Sequence, residues 1–244
     1  MKLFDFSLLV GTDPHSPAEG TREALLAYLD SADAGGLVAS LSDAYYDFAA
    51  GNRETIEIAR GDARLLPAFA ADPRRIEAAE VDFEAARKQG FRALVLFPDI
   101  QGWGLSHPAV DGLAARAAAA GLPVVVHLPR NGPVGVVAGL AARIETPLVA
   151  CGLSYACVGE IVAAAAGVEN LLFGMRILAG LDNVEALAAR LGPERLVFDS
   201  GEPLRSHAPA FEVLQTALIS GQAREMIAVG NARRIFGGAI SGCK

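Results

Sequence analysis

The chain has 244 residues, of which 52% are apolar and 20% charged, a composition that supports a packed core and excludes an intrinsically disordered chain. Its net charge of −7 argues against a nucleic-acid groove, and Lys and Arg form no polybasic block suited to anionic lipid. Cysteines at 151, 157 and 243 make no regular framework and no CxxC pair, so they read as free thiols in a reducing compartment.

The opening "MKLFDFSLLVG" is too short and too acidic for a secretory signal and reads as a buried strand over 2–10. Further strands are predicted at 36–40, 65–70 and 91–98, then at 123–129, 147–152, 170–175 and 195–200. Most are near-continuous apolar runs, the pattern of strands covered on both faces. Helical periodicity lies between them. The segment 73–90 starts after an Asp72-Pro73 cap and ends at Gly90, 108–121 has Pro108 near its start, and 183–192 closes on Gly192. No stretch reaches the roughly 20 apolar residues of a membrane helix, so the expectation is a soluble cytoplasmic protein without a membrane partner.

Eight strands alternating with helices over about 240 residues predict an α/β fold, a (β/α)8 TIM barrel, as one domain over 1–244. An open doubly wound sheet would bring a glycine-rich phosphate turn after its first strand, and "LLVGTDPHSP" lacks GxGxxG spacing. In such a barrel the strand tips carry the chemistry. Residues two apart share a face, which aims Asp5, Ser7 and Leu9 inward from the first strand, Val125 and His127 from the fifth, Val149 and Cys151 from the sixth, and Val197, Asp199 and Gly201 from the eighth.

His127 ends a strand and reads either as a rim histidine bonded to backbone or as a metal ligand or general base. Arg130 and Arg176 follow strands, where a guanidinium clamps a carboxylate or pairs with Glu202, Asp199 or Asp99. Trp103, in "DIQGWGLSHP", is read as a wall over the mouth or an exposed interface aromatic. His107 reads as a helix cap, and His15 and His207 as surface residues.

Several stretches resemble the amidohydrolase-related family. "LFDFSLLVG" stands where that family has an Asp-x-His-x-His strand. "GFRALVLFPDIQGWGLSHPAVDGLAARAAAAGLPVVVHLP", "LGPERLVFDSGEP" and "MIAVGNARRIFG" are similar to its central stretch, its eighth strand and its closing helix. The resemblance implies hydrolysis or decarboxylation of small organic acids with a divalent metal. Carried over residue by residue, it places the family's two first-strand histidines on Ser7 and Leu9, its strand-five histidine on His127, its strand-six histidine on Cys151 and its strand-eight aspartate on Gly201. Asp199 precedes that last position by two residues, about 6.6 Å deeper along the strand.

The implied function is a degenerate amidohydrolase-type barrel, a pseudoenzyme or diverged homologue binding a small molecule at its mouth. It would act as a homodimer or beside an active homologue. Ser7, Trp103, Arg130, Arg176 and Glu202 would bind substrate, and His127, Cys151 and Asp199 would form the reactive group. No cofactor is expected. Two alternatives are a metal-free hydrolase or acyl-transfer enzyme built on His127 and Cys151, and a rearranged zinc site using His127, Cys151 and an acid such as Asp199 or Glu202.

Overall fold

A computed structural model of the protein describes residues 2–15, 19–128, 132–176, 178, 180 and 182–240. The apolar runs become parallel strands because each is covered by helices outside and by facing strands inside. They are β1 (Leu3–Thr12), β3 (Ala34–Ser40), β4 (Leu65–Ala70), β5 (Ala93–Leu96), β6 (Val124–His127), β7 (Leu148–Cys151), β8 (Leu171–Gly174) and β9 (Leu196–Val197). A short addition, β2 (Glu19–Gly20), folds back antiparallel on the end of β1. The ladder runs β2-β1-β3-β4-β5-β6-β7-β8-β9. Its two ends meet through main-chain bonds between β1 and residues 198–202. Phe6 N donates to Phe198 O at 3.0 Å, Gly201 N to Ser7 O at 2.9 Å and Leu9 N to Glu202 O at 2.8 Å. These bonds close the sheet into a barrel.

Alternation along the strands divides the apolar residues into two cores. Leu37, Ala68, Val95, Val125, Val149, Leu172 and Val197 fill the barrel. Val38, Leu94, Val124, Ala150 and Phe173 face outward against the helices. The opposite end from the strand tips is closed by the helix Asn231–Phe236 and the residues after it. Phe236 packs 5.4 Å from Phe4 and 5.8 Å from Phe6, and Ile240 joins the inner core.

Simple alternation fails on β1. Phe4 and Phe6, not Asp5, belong to the inner core, and Leu8 and Val10 to the outer one. Asp5 pairs opposite Gly36 and Leu8 opposite Val38, so three steps on β1 match two on β3. This β-bulge brings Leu9 back against the inner core. Gly36 is required there, because a Cβ would lie 2.5 Å from both the Asp5 carbonyl oxygen and Leu8 Cδ1. The expectation that Asp5 points into the barrel is therefore corrected.

The helical segment 73–90 is also divided. A 3-10 turn, Ile76–Glu80, precedes a helix, Phe83–Gln89, whose cap is Asp82 and not Asp72. Asp72 instead holds the Arg74 guanidinium. The break falls at Val81 and Asp82, both extended, with Asp82 accepting from Ala85 N. Helices Pro108–Ala119 and Asn183–Leu191 form as predicted. His107 caps the first, its Nδ1 accepting from Ala109 N at 3.2 Å.

Candidate ligand site at the barrel mouth

His127 ends β6 and Cys151 ends β7, and the register makes them direct neighbours across the two strands. The imidazole stacks on Phe97, with ring centroids 4.9 Å apart and planes inclined by 24°. Loss of hydration, reinforced by the nearby Arg176 cation, pushes its pKa down to about 3. Burial raises the Cys151 thiol well above its ordinary value, with the Asp199 charge adding to the shift and Arg176 opposing it. The pair is therefore neutral imidazole beside neutral thiol.

Arg176 and Asp199 extend the constellation. The Arg176 backbone N–H donates to Asp199 Oδ1 at 2.7 Å. Its Nε lies 3.6 Å from Asp199 Oδ2, close enough for ionic attraction and too far for a hydrogen bond. Desolvation raises the Asp199 pKa while the arginine's charge and hydrogen bonding oppose that rise.

Glycines clear the space these groups occupy. A Cβ on Gly174 would lie 2.6 Å from the Asp199 carboxylate. One on Gly201 would lie 3.4 Å from Arg176 Nη1, and one on Gly152 3.6 Å from Nη2. The guanidinium is thus seated between the segments that follow β7 and β9. Its side chain is 18% exposed while Asp199 is 0% exposed, so the arginine is the member of the pair that solvent reaches. Among the described residues, Ser7 Oγ, Arg176 Nε and Asp199 Oδ2 are buried without a hydrogen-bond partner. No three His, Cys, Asp or Glu side chains among the described residues come together as a metal-holding group.

A second polar cluster sits beside the first, where β1 meets residues 198–202. Asp5 is fully buried and accepts from Ser7 N at 3.0 Å, Ser200 N at 3.0 Å, Tyr28 OH at 3.0 Å and Ser200 Oγ. Burial raises its pKa to about 6, with hydrogen bonding opposing and the Asp199 charge adding to the rise. The Tyr28 ring lies 4.6 Å from that of His207, and His207 Nδ1 is 2.8 Å from Glu202 Oε1. Glu202, expected to touch substrate, thus spends one carboxylate oxygen on His207, whose backbone N–H it also accepts. His207 is an internal partner more than a free surface residue.

Trp103 is 8% exposed, and its Nε1–H donates to Gln101 Oε1 at 2.8 Å. That corrects its description as an exposed interface aromatic, and with it the basis for expecting a homodimer. The indole lines a cavity of about 270 Å³ with Pro98, Asp99, Leu105, Leu128 and Pro133, beside the tips of β5 and β6. Arg130 lies outside the described residues. Sequence reasoning missed Tyr28 and Ser200; no local motif distinguishes either residue.

A family model described as amidohydrolase matches residues 27–238. The chain belongs to the amidohydrolase family. Solved structures share its fold along nearly their whole length. One is described as a probable 2-pyrone-4,6-dicarboxylic acid hydrolase from Acinetobacter baumannii with citric acid bound. It is 14% identical at a TM-score of 0.72, covering 97% of this chain and 100% of that one. An uncharacterized TIM-barrel protein of Bordetella bronchiseptica is 17% identical at 0.74, covering 98% and 99%. The 5-carboxyvanillate decarboxylase of Sphingomonas paucimobilis is 16% identical at 0.71, covering 96% and 98%. At these identities the likeness establishes the TIM-barrel fold of this amidohydrolase-family chain. No curated protein sequence matches it. No helix among its described residues is long and apolar enough to cross a membrane.

Proposed function

We propose that this amidohydrolase-family barrel binds a small organic acid at its strand tips and has given up metal-dependent hydrolysis. The observation that carries the reading is the Arg176 guanidinium, seated between Gly152 and Gly201 and beside Asp199. A catalytic divalent ion needs about three protein donors and an open position. Here His127, Cys151 and Asp199 are the nearest approach to such a set, and a fixed cation lies among them. A doubly charged ion about 4 Å from that guanidinium would meet a repulsion of about 8 kcal/mol at an effective dielectric of about 20. The protonated thiol of Cys151 is no better suited, since thiolate is the form that binds metal. The residues present therefore do not fit the ion, and no step is derived through one.

An acid is the natural ligand for this mouth. Arg176 offers a planar set of N–H donors that matches a carboxylate. Asp199 orients it through the backbone N–H of the same residue. The citric acid in the Acinetobacter relative is a ligand of this class. The His127 ring, backed by the buried Phe97, would be the flat surface for the body of such a molecule. In this reading the chain is a non-catalytic or diverged homologue, and an active relative is the partner it would assist.

The second reading uses His127 and Cys151 as a metal-free nucleophilic pair, and their direct register favours it. Their electrostatics work against it: a nucleophilic thiolate needs a lowered thiol pKa and a protonated partner, and here both shifts run the other way.

The test is metal analysis of protein grown with added zinc and manganese, together with turnover assays on 2-pyrone-4,6-dicarboxylate and 5-carboxyvanillate. The expected result is substoichiometric metal, no turnover, and a rise in Tm with small carboxylic acids. Stoichiometric metal with chelator-sensitive turnover would overturn the proposal. Rapid, His127-dependent alkylation of Cys151 would favour the second reading.

A further inference from the structure

We infer that the closed end of the barrel carries a second ligand site, a cleft suited to a small carboxylate borne on a flat apolar body. The inference is independent of what the strand tips do, because the cleft lies at the opposite end of the molecule.

The cleft has a volume of about 370 Å³, within the range of small-molecule pockets. Three stretches far apart in the sequence build it. The end of the helix Phe83–Gln89 and the turn into β5 supply Arg87, Lys88 and Arg92. The turn into β6 supplies Leu122 and Pro123. The closing helix Asn231–Phe236 and the residues after it supply Ile235, Phe236 and Ala239.

Charge and apolar surface are sorted across this cleft. Every ionisable side chain lining it is a cation, in a chain whose net charge is −7. Arg87 is answered by Glu84 at 3.3 Å. Lys88 and Arg92 pair with no acid among the described residues. Arg92 is nevertheless held in place, because its Nη1 donates to the carbonyls of Arg87 at 3.3 Å and Phe91 at 3.1 Å. Those bonds engage one nitrogen of the guanidinium, and Nε and Nη2 keep donors for an acceptor from outside. Arg87 and Lys88 also stand in the last turn of their helix, where cations suit the exposed carbonyls. That accounts for their sign and not for the apolar surface across the cleft from them.

That surface is firm. Leu122 and Pro123 are buried, while Ile235, Phe236 and Ala239 are half-buried. The Phe236 ring rests on Phe4 and Phe6, with centroids 5.4 and 5.8 Å away. It is thus anchored to the floor of the barrel and still contributes to the cleft wall. A fixed aromatic ring offers stacking area at little cost in side-chain freedom. An inorganic anion would answer the cations and leave this wall wet. A neutral aromatic would cover the wall and leave the cations unanswered. A single molecule with a carboxylate at one end and a ring at the other satisfies both halves, with the planar Arg92 guanidinium matched to the carboxylate.

The probes are 3-phenylpropionate, its neutral amide, and acetate, which separate the ring from the charge. Side-chain 15N–1H spectra of the intact protein report on this cleft alone once the Arg92 Nε–H resonance is assigned from its absence in Arg92→Gln. Titration with 3-phenylpropionate is expected to shift that resonance, and the amide and acetate to bind at least about fivefold more weakly. Lys88→Glu, at an exposed position, is expected to weaken 3-phenylpropionate about fivefold by reversing one of the three charges, and added salt to weaken it as well. An Arg92 Nε–H unmoved by 3-phenylpropionate overturns the inference. So does equal affinity for acetate, which would reduce the cleft to a patch of surface charge, or equal affinity for the amide, which would reduce it to an apolar dent. Unchanged affinity in Lys88→Glu overturns it too, and the wild-type comparisons need no variant to fold.

Discussion

Asp5 and Asp199 are both fully buried and close enough for each to feel the other's charge, but the chain treats them in opposite ways. Asp5 is saturated: Ser7 N, Ser200 N, Ser200 Oγ and Tyr28 OH all donate to it. Asp199 accepts the Arg176 backbone N–H and lies 3.6 Å from the Arg176 guanidinium, so that its main partner is one cation. A carboxylate whose lone pairs are filled by the protein is fastening two segments together. One set beside a mostly buried guanidinium, within ionic reach of it, holds that cation in place. The difference separates the seam of the barrel from its mouth.

The sharpest way to break this comparison is to empty the seam. Asp5→Ala leaves four buried donors without an acceptor and should destabilise the protein by about 3–5 kcal/mol, measured by urea unfolding. A loss below about 1 kcal/mol would mean that the seam does not depend on Asp5.

The next effect is one of pH. Asp5 has a folded-state pKa of about 6 against an ordinary 3.8, so the folded protein holds a proton that the unfolded chain releases. The stabilisation is fully present below pH 3.8 and is lost as pH rises through 6, by about 3 kcal/mol in total. Asp199, also raised, adds to the same trend. Asp62 and Asp72 are lowered and act in the opposite sense at more acidic pH. Urea midpoints between pH 4 and 7 should fall in the wild type and flatten in Asp5→Asn.

Gly174→Ala sharpens the comparison from the other side. Its Cβ would lie 2.6 Å from the Asp199 carboxylate, and overpacking of this kind costs about 1–3 kcal/mol. The displaced carboxylate should also loosen Arg176, while the acid-dependent stability assigned to Asp5 persists. The smallest effect is expected from His127→Phe. The flat contact with Phe97 is kept, and thermal unfolding should report a change within about 1 kcal/mol. A larger loss would make His127 part of the scaffold.

Strand existence was legible in the sequence because a parallel strand is apolar along its length wherever it is covered on both faces. All eight runs are strands, and His127, Cys151 and Val197 lie where alternation puts them. The first strand was legible in position and not in orientation. Alternation assumes an unbroken ladder, and the bulge between Asp5 and Leu8 breaks it. The helix over 73–90 was misread for a similar reason: Asp72-Pro73 has the composition of a cap, but Asp82 does the capping. At the mouth, the identity of Arg176 could be read from its place after a strand. Its seating between two glycines from distant segments could not, since that contact exists only once the barrel has closed.

The closure itself has a consequence for biosynthesis. Ser200 and Asp5 are 195 residues apart along the chain, so the N-terminal strand leaves the ribosome long before the segment that completes it. Until then one flank of β1 has main-chain groups with nothing to pair with, an exposed template for the wrong neighbour. A nascent chain stopped short of residue 198 would keep most of its helices and strands and still present that raw flank, so premature termination near the 3′ end of the message should yield insoluble protein and not a merely weaker binder.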